Sequence, residues 1–212
     1  ITLSNNITSI GISVFEGCSN LSNITLSNNI TSIGDFAFAD CSSLTNITIP
    51  DSVISIGDFA FAWCSNLSSI TLSNNITSIG NDAFADCSSL TSITIPDGVT
   101  SIGNYAFSGC SSLTSITIPD GVTSIGKFAF YGCSSLTAIS LSCKSSLKKS
   151  DFGEQADLVS YTNQHLLTKQ RKLRPVPKAA TRNTGLANIA ESISYQMIPI
   201  RKRQRQWNSQ NV

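Results

Sequence analysis

Histidine and basic residues are almost missing from the first two-thirds of this 212-residue chain. Residues 1–143 contain Lys127 as their one basic side chain, and the one histidine of the whole sequence is His165. No nucleophile motif and no glycine-rich phosphate loop is present either. Acid–base or nucleophilic catalysis needs such groups within hydrogen-bond reach of each other. We therefore expect no enzymatic activity, no cofactor, no metal site and no small-molecule substrate.

Long apolar runs are missing as well, since no stretch approaches the roughly 18 consecutive apolar residues of a membrane-spanning helix. The sequence therefore predicts no transmembrane segment. The chain opens with Ile1, in the middle of a repeat and not at a methionine. This start indicates a fragment or a processed product, so the lack of a signal peptide says nothing about the compartment.

What the chain does contain is a fixed period. Cysteines recur every 23 residues, at Cys18, Cys41, Cys64, Cys87, Cys110 and Cys133. Five complete copies of one unit cover residues 21–135, a headless copy precedes them, and a partial seventh copy begins at Leu136. A period in the twenties indicates a solenoid, whose copies bury their apolar faces only against neighbouring copies.

One copy, residues 90–112, shows what each coil contains. Residues 90–95 alternate inward apolar and outward polar side chains, which predicts a β-strand. Residues 96–98, with the sequence Pro-Asp-Gly, predict a turn, and residues 99–102 predict a second short strand. The apolar cluster in residues 106–110 fits one helical turn. Acidic residues recur at the turns with the repeat period, which marks them as turn residues and not as paired catalytic carboxylates.

The pattern LxxIxIPxxVxxIGxxAFxxCxx resembles the BspA-like class of leucine-rich repeats, and the resemblance covers residues 1–141. The first copy departs from it at Ser13 and Val14, where later copies carry an aromatic residue followed by alanine. The resemblance implies a right-handed leucine-rich-repeat solenoid with a parallel β-sheet on one face. It also implies adhesion, since relatives on bacterial and protist surfaces bind extracellular-matrix proteins and host cells.

Charge divides the chain into two parts. Residues 1–143 carry nine acidic residues and one lysine, a net charge of −8, whereas residues 144–212 carry 13 basic and four acidic residues, a net charge of +9. We therefore expect a solenoid over 1–143 and a basic, largely disordered tail with short helices over 144–212. Such an asymmetry indicates two parts with different partners, or an electrostatic contact within the chain.

The repeat pattern ends after Leu141, because Lys148 and Asp151 stand where the period requires apolar residues. Neither can enter an apolar core without a large desolvation cost. The tail beyond contains two possible helices, over 154–174 and 185–198, followed by the basic cluster of Arg201, Lys202, Arg203 and Arg205. This cluster could contact an anionic membrane or nucleic acid, act as a nuclear-import signal, or lie free in solvent.

Outward strand positions in successive copies are short, hydroxylated and almost uncharged, with threonine in register. They predict a flat polar binding surface, and its candidate ligand contacts are Ser69, Thr71, Ser92, Thr94, Pro96, Ser115, Thr117 and Pro119. Threonine also suits an exposed strand for purely structural reasons, so both interpretations stay open. No large aromatic or arginine side chain stands on this face, which favours weak or multivalent binding. An ice-binding array is disfavoured, because the second outward rank is asparagine or serine instead of threonine.

The cysteine ladder admits disulfides, metal ligation or a small buried side chain in each coil. Stacked neighbours could lie within the Cα separation of a disulfide. No CxxC pair is present, however, and side chains in a ladder point the same way, which suits bridging poorly. We therefore interpret the cysteines as small buried apolar residues.

Glycosylation sequons of the form N-x-[ST] occur at Asn6, Asn20, Asn23, Asn29, Asn46, Asn66 and Asn75. In a eukaryotic secreted protein they would accept glycans, although a repeat rich in Asn, Ser and Thr also produces sequons by chance. A glycan at Asn23 or Asn46 would obstruct the candidate binding face in the second and third copies.

Two functions are compatible with these patterns. The first is a non-enzymatic adhesion module or surface antigen, on the cell surface or secreted, that binds a host or extracellular-matrix protein or glycan through the solenoid face. The second is an intracellular scaffold whose basic tail contacts an anionic membrane or nucleic acid. Reduced cysteines are compatible with either compartment and therefore do not decide between the two functions.

Overall fold

The computed structural model describes residues 1–142 and 144–162, and these form a parallel β-sheet solenoid, as predicted. A 3₁₀ helix, Lys149–Leu158, precedes the last of the described strands. Those strands, in chain order, are β1 (Ser9–Ile10), β2 (Ser32–Ile33), β3 (Asn46–Thr48), β4 (Ser55–Ile56), β5 (Ser69–Thr71), β6 (Ser78–Ile79), β7 (Ser101–Ile102), β8 (Ser115–Ile118), β9 (Ser124–Ile125), β10 (Ala138–Ser142) and β11 (Val159–Thr162).

The longest sheet is built from the short second strand that the sequence predicts in each coil. β1, β2, β4, β6, β7 and β9 pair in that order, and each Ser-Ile step lies opposite the same step of the next coil. Ser78, for example, pairs with Ser101, and Ile79 pairs with Ile102. Both isoleucines are only 2% exposed. The second strand is therefore confirmed, and it forms the most continuous hydrogen-bonded ladder of strands in the described chain.

The first strand of each coil forms two smaller sheets. β3 pairs with β5, and a second sheet has the order β11-β10-β8. Residues 92–95 lie between these sheets without strand pairing, although residues 90–103 and 113–126 have the same sequence. Ile93 and Ile95 are nevertheless buried. Strand pairing therefore depends on the neighbouring coils, while inward packing follows the local sequence.

The side of each coil that follows the second strand is held by backbone hydrogen bonds between coils. The N–H of Tyr105 donates to the carbonyl of Lys127 at 3.0 Å, and the N–H of Phe107 donates to that of Ala129 at 2.8 Å. Within the coil, the N–H of Cys110 donates to Phe107 at 3.2 Å and closes the predicted helical turn. On this side two residues of each coil stand at positive φ. Those at the first position, the first column, are Ser13, Phe36, Phe59, Asp82, Tyr105 and Phe128, and those four residues later, the second column, are Gly17, Asp40, Trp63, Asp86, Gly109 and Gly132.

Two ladders of side chains fill the core. Phenylalanine rings stack from coil to coil with centroid separations of 5.1 to 6.3 Å, in the order Phe15, Phe38, Phe61, Phe84, Phe107, Phe130 and Phe152. Beside them, the thiol of Cys87 donates to the carbonyl of Phe61 at 3.1 Å, and the other buried cysteines repeat this bond. Five of the six ladder cysteines are buried free thiols, as interpreted, and Cys18 is exposed.

A glycine and the residue after it set the distance between coils at the end of the second strand. A Cβ on Gly103 would lie 2.6 Å from the backbone nitrogen of Asn81, so a side chain does not fit there. In the next position, Asp58 Oδ1 accepts the N–H of Asn81 at 2.7 Å, and Asn81 Oδ1 accepts the N–H of Asn104 at 2.9 Å. Asp58 is thus a structural residue, as the recurrence of acids at the turns predicts.

The stack continues past the point where the repeat pattern ends. Ile116 pairs with Ile139, one full period later, whereas Ile139 pairs with Val159, only 20 residues later. This coil is therefore shorter than the others, and its inward positions are shifted. Adding 23 to the residue numbers of the preceding coil therefore predicted the wrong residues at these inward positions.

Different residues fill the shortened coil. Leu147 and Phe152 are buried, while Lys148 and Asp151 face solvent. Asp151 instead accepts the N–H of Lys148 at 2.7 Å at the start of the 3₁₀ helix. The two charged residues therefore do not disrupt the core, because apolar neighbours take their places.

The described part of the predicted helix over 154–174 is not an α-helix. The 3₁₀ helix ends at Leu158, and β11 begins at Val159, whose side chain is buried against the last coil. The prediction was wrong here because the sparse apolar residues serve a strand instead of a helical stripe. The helix predicted over 185–198 lies outside the described residues, and the division of the chain at residue 143 stays a prediction.

Candidate binding face

The outward positions of the first strand form the candidate binding face. Ser69, Thr71, Ser92, Thr94, Ser115 and Thr117 are all exposed there. They stand in register with equivalent residues of the neighbouring coil, since Thr71 pairs with Thr48 and Thr117 pairs with Ser140. The structure therefore brings these six hydroxyls onto one surface, and their contact with a ligand stays a prediction.

The two prolines of the predicted face are placed differently. Pro96 is buried and Pro119 is half-buried, so Pro96 offers no surface to a ligand. In the equivalent position, Ser73 is fully buried, and its hydroxyl donates to the carbonyl of Val53 at 2.7 Å. The prediction that this position faces outward was wrong for Pro96, because the strand ends there and the side chain packs back onto the coil. Pro119 keeps part of its surface and lines the concavity described next.

A concavity of about 520 Å³ lies on the binding face. It is lined by residues 92–95, by Asp97 and by residues 115–121, and it reaches Ser142 and Thr162. Ser92, Thr94, Ser115 and Thr117 therefore line one shared depression, whereas Ser69 and Thr71 lie outside it. Thr162 belongs to the segment that the sequence assigned to the tail, so sequence reasoning did not identify it as part of the face.

The hydroxyls of this face are free to bind a ligand. Threonines on the second-strand side use theirs within the protein, since Thr100 Oγ1 donates to Thr77 O at 3.1 Å and Thr123 Oγ1 donates to Thr100 O at 3.2 Å. By contrast, Thr94 and Thr117 make no side-chain hydrogen bond to any residue within 1–142 or 144–162. An exposed hydroxyl can donate one hydrogen bond and accept two, so a row of them suits a polar, hydrogen-bonding partner.

The buried thiols have little chemistry to offer in the folded protein. Burial raises the pKa of Cys41 to about 11 and that of Cys64 to about 12, with the neighbouring cysteine of the ladder as the next contribution. The thiolate is the nucleophile and the metal ligand, so a thiol with a raised pKa is unreactive. Among the described residues, no group of three or more His, Cys, Asp or Glu side chains is arranged to hold a metal ion.

Two sequon asparagines already use their side-chain amides to join coils. Asn29 Nδ2 donates to Asn5 O, and Asn75 Nδ2 donates to Asp51 O, both at 2.7 Å. A glycan attached at either nitrogen would compete with that bond. Of the tail, the candidate contacts Arg201, Lys202, Arg203 and Arg205 lie outside the described residues.

A partly exposed aromatic surface was missed by sequence reasoning. We call it the aromatic ridge, and it consists of Phe36, Phe59, Trp63, Tyr105, Phe128 and Tyr131. Its signal was present in the sequence, as an aromatic residue before the alanine of most copies, but such residues fit the core pattern equally well. The rings stack from coil to coil, with centroids 4.7 Å apart for Phe36 and Phe59 and 5.2 Å apart for Tyr105 and Phe128.

The whole described stack matches one known repeat family. The family model described as BspA type leucine rich repeat region matches in six copies, over residues 1–96 and 77–189. The chain belongs to this family of leucine-rich-repeat proteins, and the resemblance drawn from the sequence is confirmed. No curated protein matches the chain.

Solved structures of bacterial proteins are similar to it. The leucine-rich repeat protein TpLRR of T. pallidum is 36% identical over 53% of this chain and 52% of that chain, with a TM-score of 0.52. A leucine-rich repeat protein of Bacteroides ovatus is 29% identical over 67% of this chain and 49% of that one, with a TM-score of 0.47. The pneumococcal vaccine antigen PcpA is 24% identical over 68% and 37%, with a TM-score of 0.54, and this likeness supports the fold alone.

This chain spans about half the length of TpLRR and of the Bacteroides protein, and less of PcpA. Within residues 1–142 and 144–162, no helix has both the length and the apolar character needed to cross a bilayer.

Proposed function

We propose that this chain is a non-enzymatic adhesion module that binds a protein or glycan outside the cell through its candidate binding face. Because this face is formed by the outward positions of the first strands, we also call it the strand face. The concavity on this face supports the proposal most strongly. In it Ser92, Thr94, Ser115 and Thr117 present hydroxyls that make no hydrogen bond to the described residues. Membership in the BspA type family supports it, since relatives of this class are surface proteins. The host or matrix partner, its extracellular location and the absence of enzymatic activity are parts of this proposal.

The chemistry of the face favours many weak contacts. Its side chains are small and uncharged, and no large aromatic or arginine residue stands among them to act as a binding hot spot. A ligand that repeats along the stack, such as a polymeric glycan or a fibrous protein, would bind several coils at once. Linked binding events of this kind raise avidity without any single strong contact.

The charge of the chain favours a second candidate, an intracellular scaffold. Residues 144–212 carry a net charge of +9, which an anionic membrane or a nucleic acid would attract. Such binding would weaken as salt rises, with the logarithm of affinity falling linearly with the logarithm of salt concentration. Deleting residues 163–212, which leaves the whole described stack intact, should abolish it.

Cell staining separates these two functions. An antibody raised against residues 21–135 should label intact, unpermeabilised cells of the organism that produces the chain, because an adhesin must be displayed to its ligand. Labelled cells would then justify a screen of immobilised matrix proteins and glycans with the full chain. Signal only after permeabilisation would overturn the adhesion proposal and favour the scaffold.

A further inference from the structure

The aromatic ridge is not required by the fold. Four of its residues, Phe36, Phe59, Tyr105 and Phe128, occupy the same position in their coils and stand at positive φ. Bulky side chains seldom adopt this conformation. Two other coils have Ser13 and Asp82 in this column, and both keep the same backbone conformation. The column of Trp63 likewise contains Gly109 and Gly132. The same backbone conformation occurs without aromatic residues elsewhere in the chain, so it does not require these rings.

Four residues of the aromatic ridge are exposed, whereas Phe36 and Phe59 are half-buried. Trp63 is 44% exposed, Phe128 is 50% exposed and Tyr131 is 52% exposed. Trp63 lies with its ring centroid 5.9 Å from that of Phe59, and Tyr131 meets Phe128 edge-on at 6.0 Å. The ridge thus presents two aromatic groups, and the coil that contains Asp82 lies between them.

Carboxylates are interleaved with these rings. Asp82 takes an aromatic position in its coil, and Asp40 and Asp86 share the column of Trp63. Burial raises the pKa of Asp82, with further contributions from the nearby negative charges of Asp58 and Asp86. Because residues 1–143 contain a single basic residue, this surface attracts positive charge from outside the coils.

A pocket of about 250 Å³ ends the ridge on its C-terminal side. It is lined by the exposed aromatic residues Phe128 and Tyr131 and by the acidic residues Asp151 and Glu154, with the buried Phe152 behind them, and Lys127 also borders it. Asp151 is engaged by the N–H of Lys148, whereas Glu154 is exposed. Aromatic faces beside a carboxylate form an environment suited to a planar cation.

We propose that the aromatic ridge docks an arginine-rich segment of a partner protein, with one arginine entering the pocket beside Glu154. The guanidinium group stacks on aromatic faces and pairs with carboxylates in a bidentate manner, whereas the lysine ammonium is a compact, strongly hydrated charge. The aromatic ridge therefore selects arginine over lysine, and its negative charge favours a positively charged partner segment. This surface differs from the strand face, so it adds a second partner to the adhesion module.

Labelled peptides test the proposal on the full 212-residue chain. Fluorescence polarisation with fluorescein-labelled octa-arginine, at about 0.15 M salt, should show binding about threefold or more tighter than with octa-lysine. Trp63→Gly copies the residue that Gly109 and Gly132 supply in the same column, and it should weaken octa-arginine binding by about threefold or more. Glu154→Gln should weaken it by a similar factor.

Asp157→Asn is the matched control, because it removes the same charge from the same 3₁₀ helix outside the pocket. It should change the affinity less than Glu154→Gln does. Thermal unfolding of each variant verifies that the fold is kept, and Trp63→Gly should not lower the melting temperature because glycine favours positive φ.

Three results would overturn the proposal: no binding of octa-arginine, equal affinity for the two peptides, or equal effects of Asp157→Asn and Glu154→Gln. Equal affinity would mean that both peptides are held by nonspecific electrostatic attraction to the acidic surface and not in a defined site. None of these results bears on the strand face, so its ligand screen remains a separate test.

Discussion

The interior coils and the first coil contain the same kinds of residue but bury them to different extents. Phe107 and Cys110 are fully buried in the fifth copy, whereas Cys18 is exposed and Phe15 is only half-buried in residues 1–20. Val14 is 55% exposed, although Ala106 in its column is fully buried. A side chain in this solenoid is therefore stabilised by the coils on both sides of it, as stacked repeats require.

The largest expected difference between the two regions is thiol reactivity. At pH 8, iodoacetamide should modify Cys18 on the order of 10³-fold or more faster than Cys87, whose reaction requires opening of the stack. Burial also raises the pKa of the Cys87 thiol and depletes its thiolate. Mass spectrometry of peptides after timed quenching measures each cysteine separately. Equal rates at Cys18 and Cys87 in the native protein would contradict the buried ladder.

Ring truncation should show the next largest difference. Phe107→Ala should lower the free energy of unfolding by about 3–5 kcal/mol, because the ring stacks on both Phe84 and Phe130. Phe15→Ala should cost less, since Phe15 stacks only on Phe38 among the described residues. Urea titrations followed by circular dichroism measure both losses. Equal losses would mean that neighbouring coils do not set the cost.

Added methyl groups test the spacing between coils. Gly103→Ala should destabilise the protein by about 1–3 kcal/mol, because its Cβ would lie 2.6 Å from the backbone of Asn81. Gly11→Ala is the matched control in the first coil, where the nearest atom to a Cβ is Val14 Cγ2 at 3.5 Å. It should be nearly neutral. Urea titrations measure the change in the free energy of unfolding for both variants. An unchanged stability of Gly103→Ala would contradict the observed packing.

The smallest expected effects concern the ladder of side-chain acceptors. Asp58→Ala removes the acceptor of the Asn81 N–H and should cost about 1 kcal/mol. Ile12 holds this position in the first coil and supplies no acceptor. Ile12→Asn should therefore stabilise the first coil by up to about 1 kcal/mol, by accepting the N–H of Asp35. A loss of stability in the Ile12→Asn variant would show that the ladder does not extend to this coil.

Much of the fold could be predicted from the repeat alone, because a 23-residue period fixes which side chains face inward. Leu90, Ile93 and Ile95 are buried as the alternation predicts. The last coil could not be predicted in this way. A solenoid needs only that each inward residue meets its neighbour, so three residues can be lost between Ile139 and Val159 while the stack continues.

The candidate site was predictable in part. Alternation along the strand correctly placed Thr94 and Thr117 on the surface, but it does not show where a strand ends, and Pro96 turns inward as a result. The aromatic ridge escaped prediction for a different reason. Residues such as Tyr105 and Phe128 look like core residues in sequence, but at positive φ their side chains are 39% and 50% exposed.

If the strand face binds the ligand, two matched double variants should differ sharply in binding. Thr94→Arg with Thr117→Arg places two bulky charges in the concavity, whereas Thr100→Arg with Thr123→Arg places the same charges on the same two coils outside it. Binding of each full chain would be measured against the matrix protein or glycan identified by the screen. We expect the first pair to abolish binding and the second to leave it nearly unchanged. Equal binding by both pairs would contradict a role of the strand face in binding.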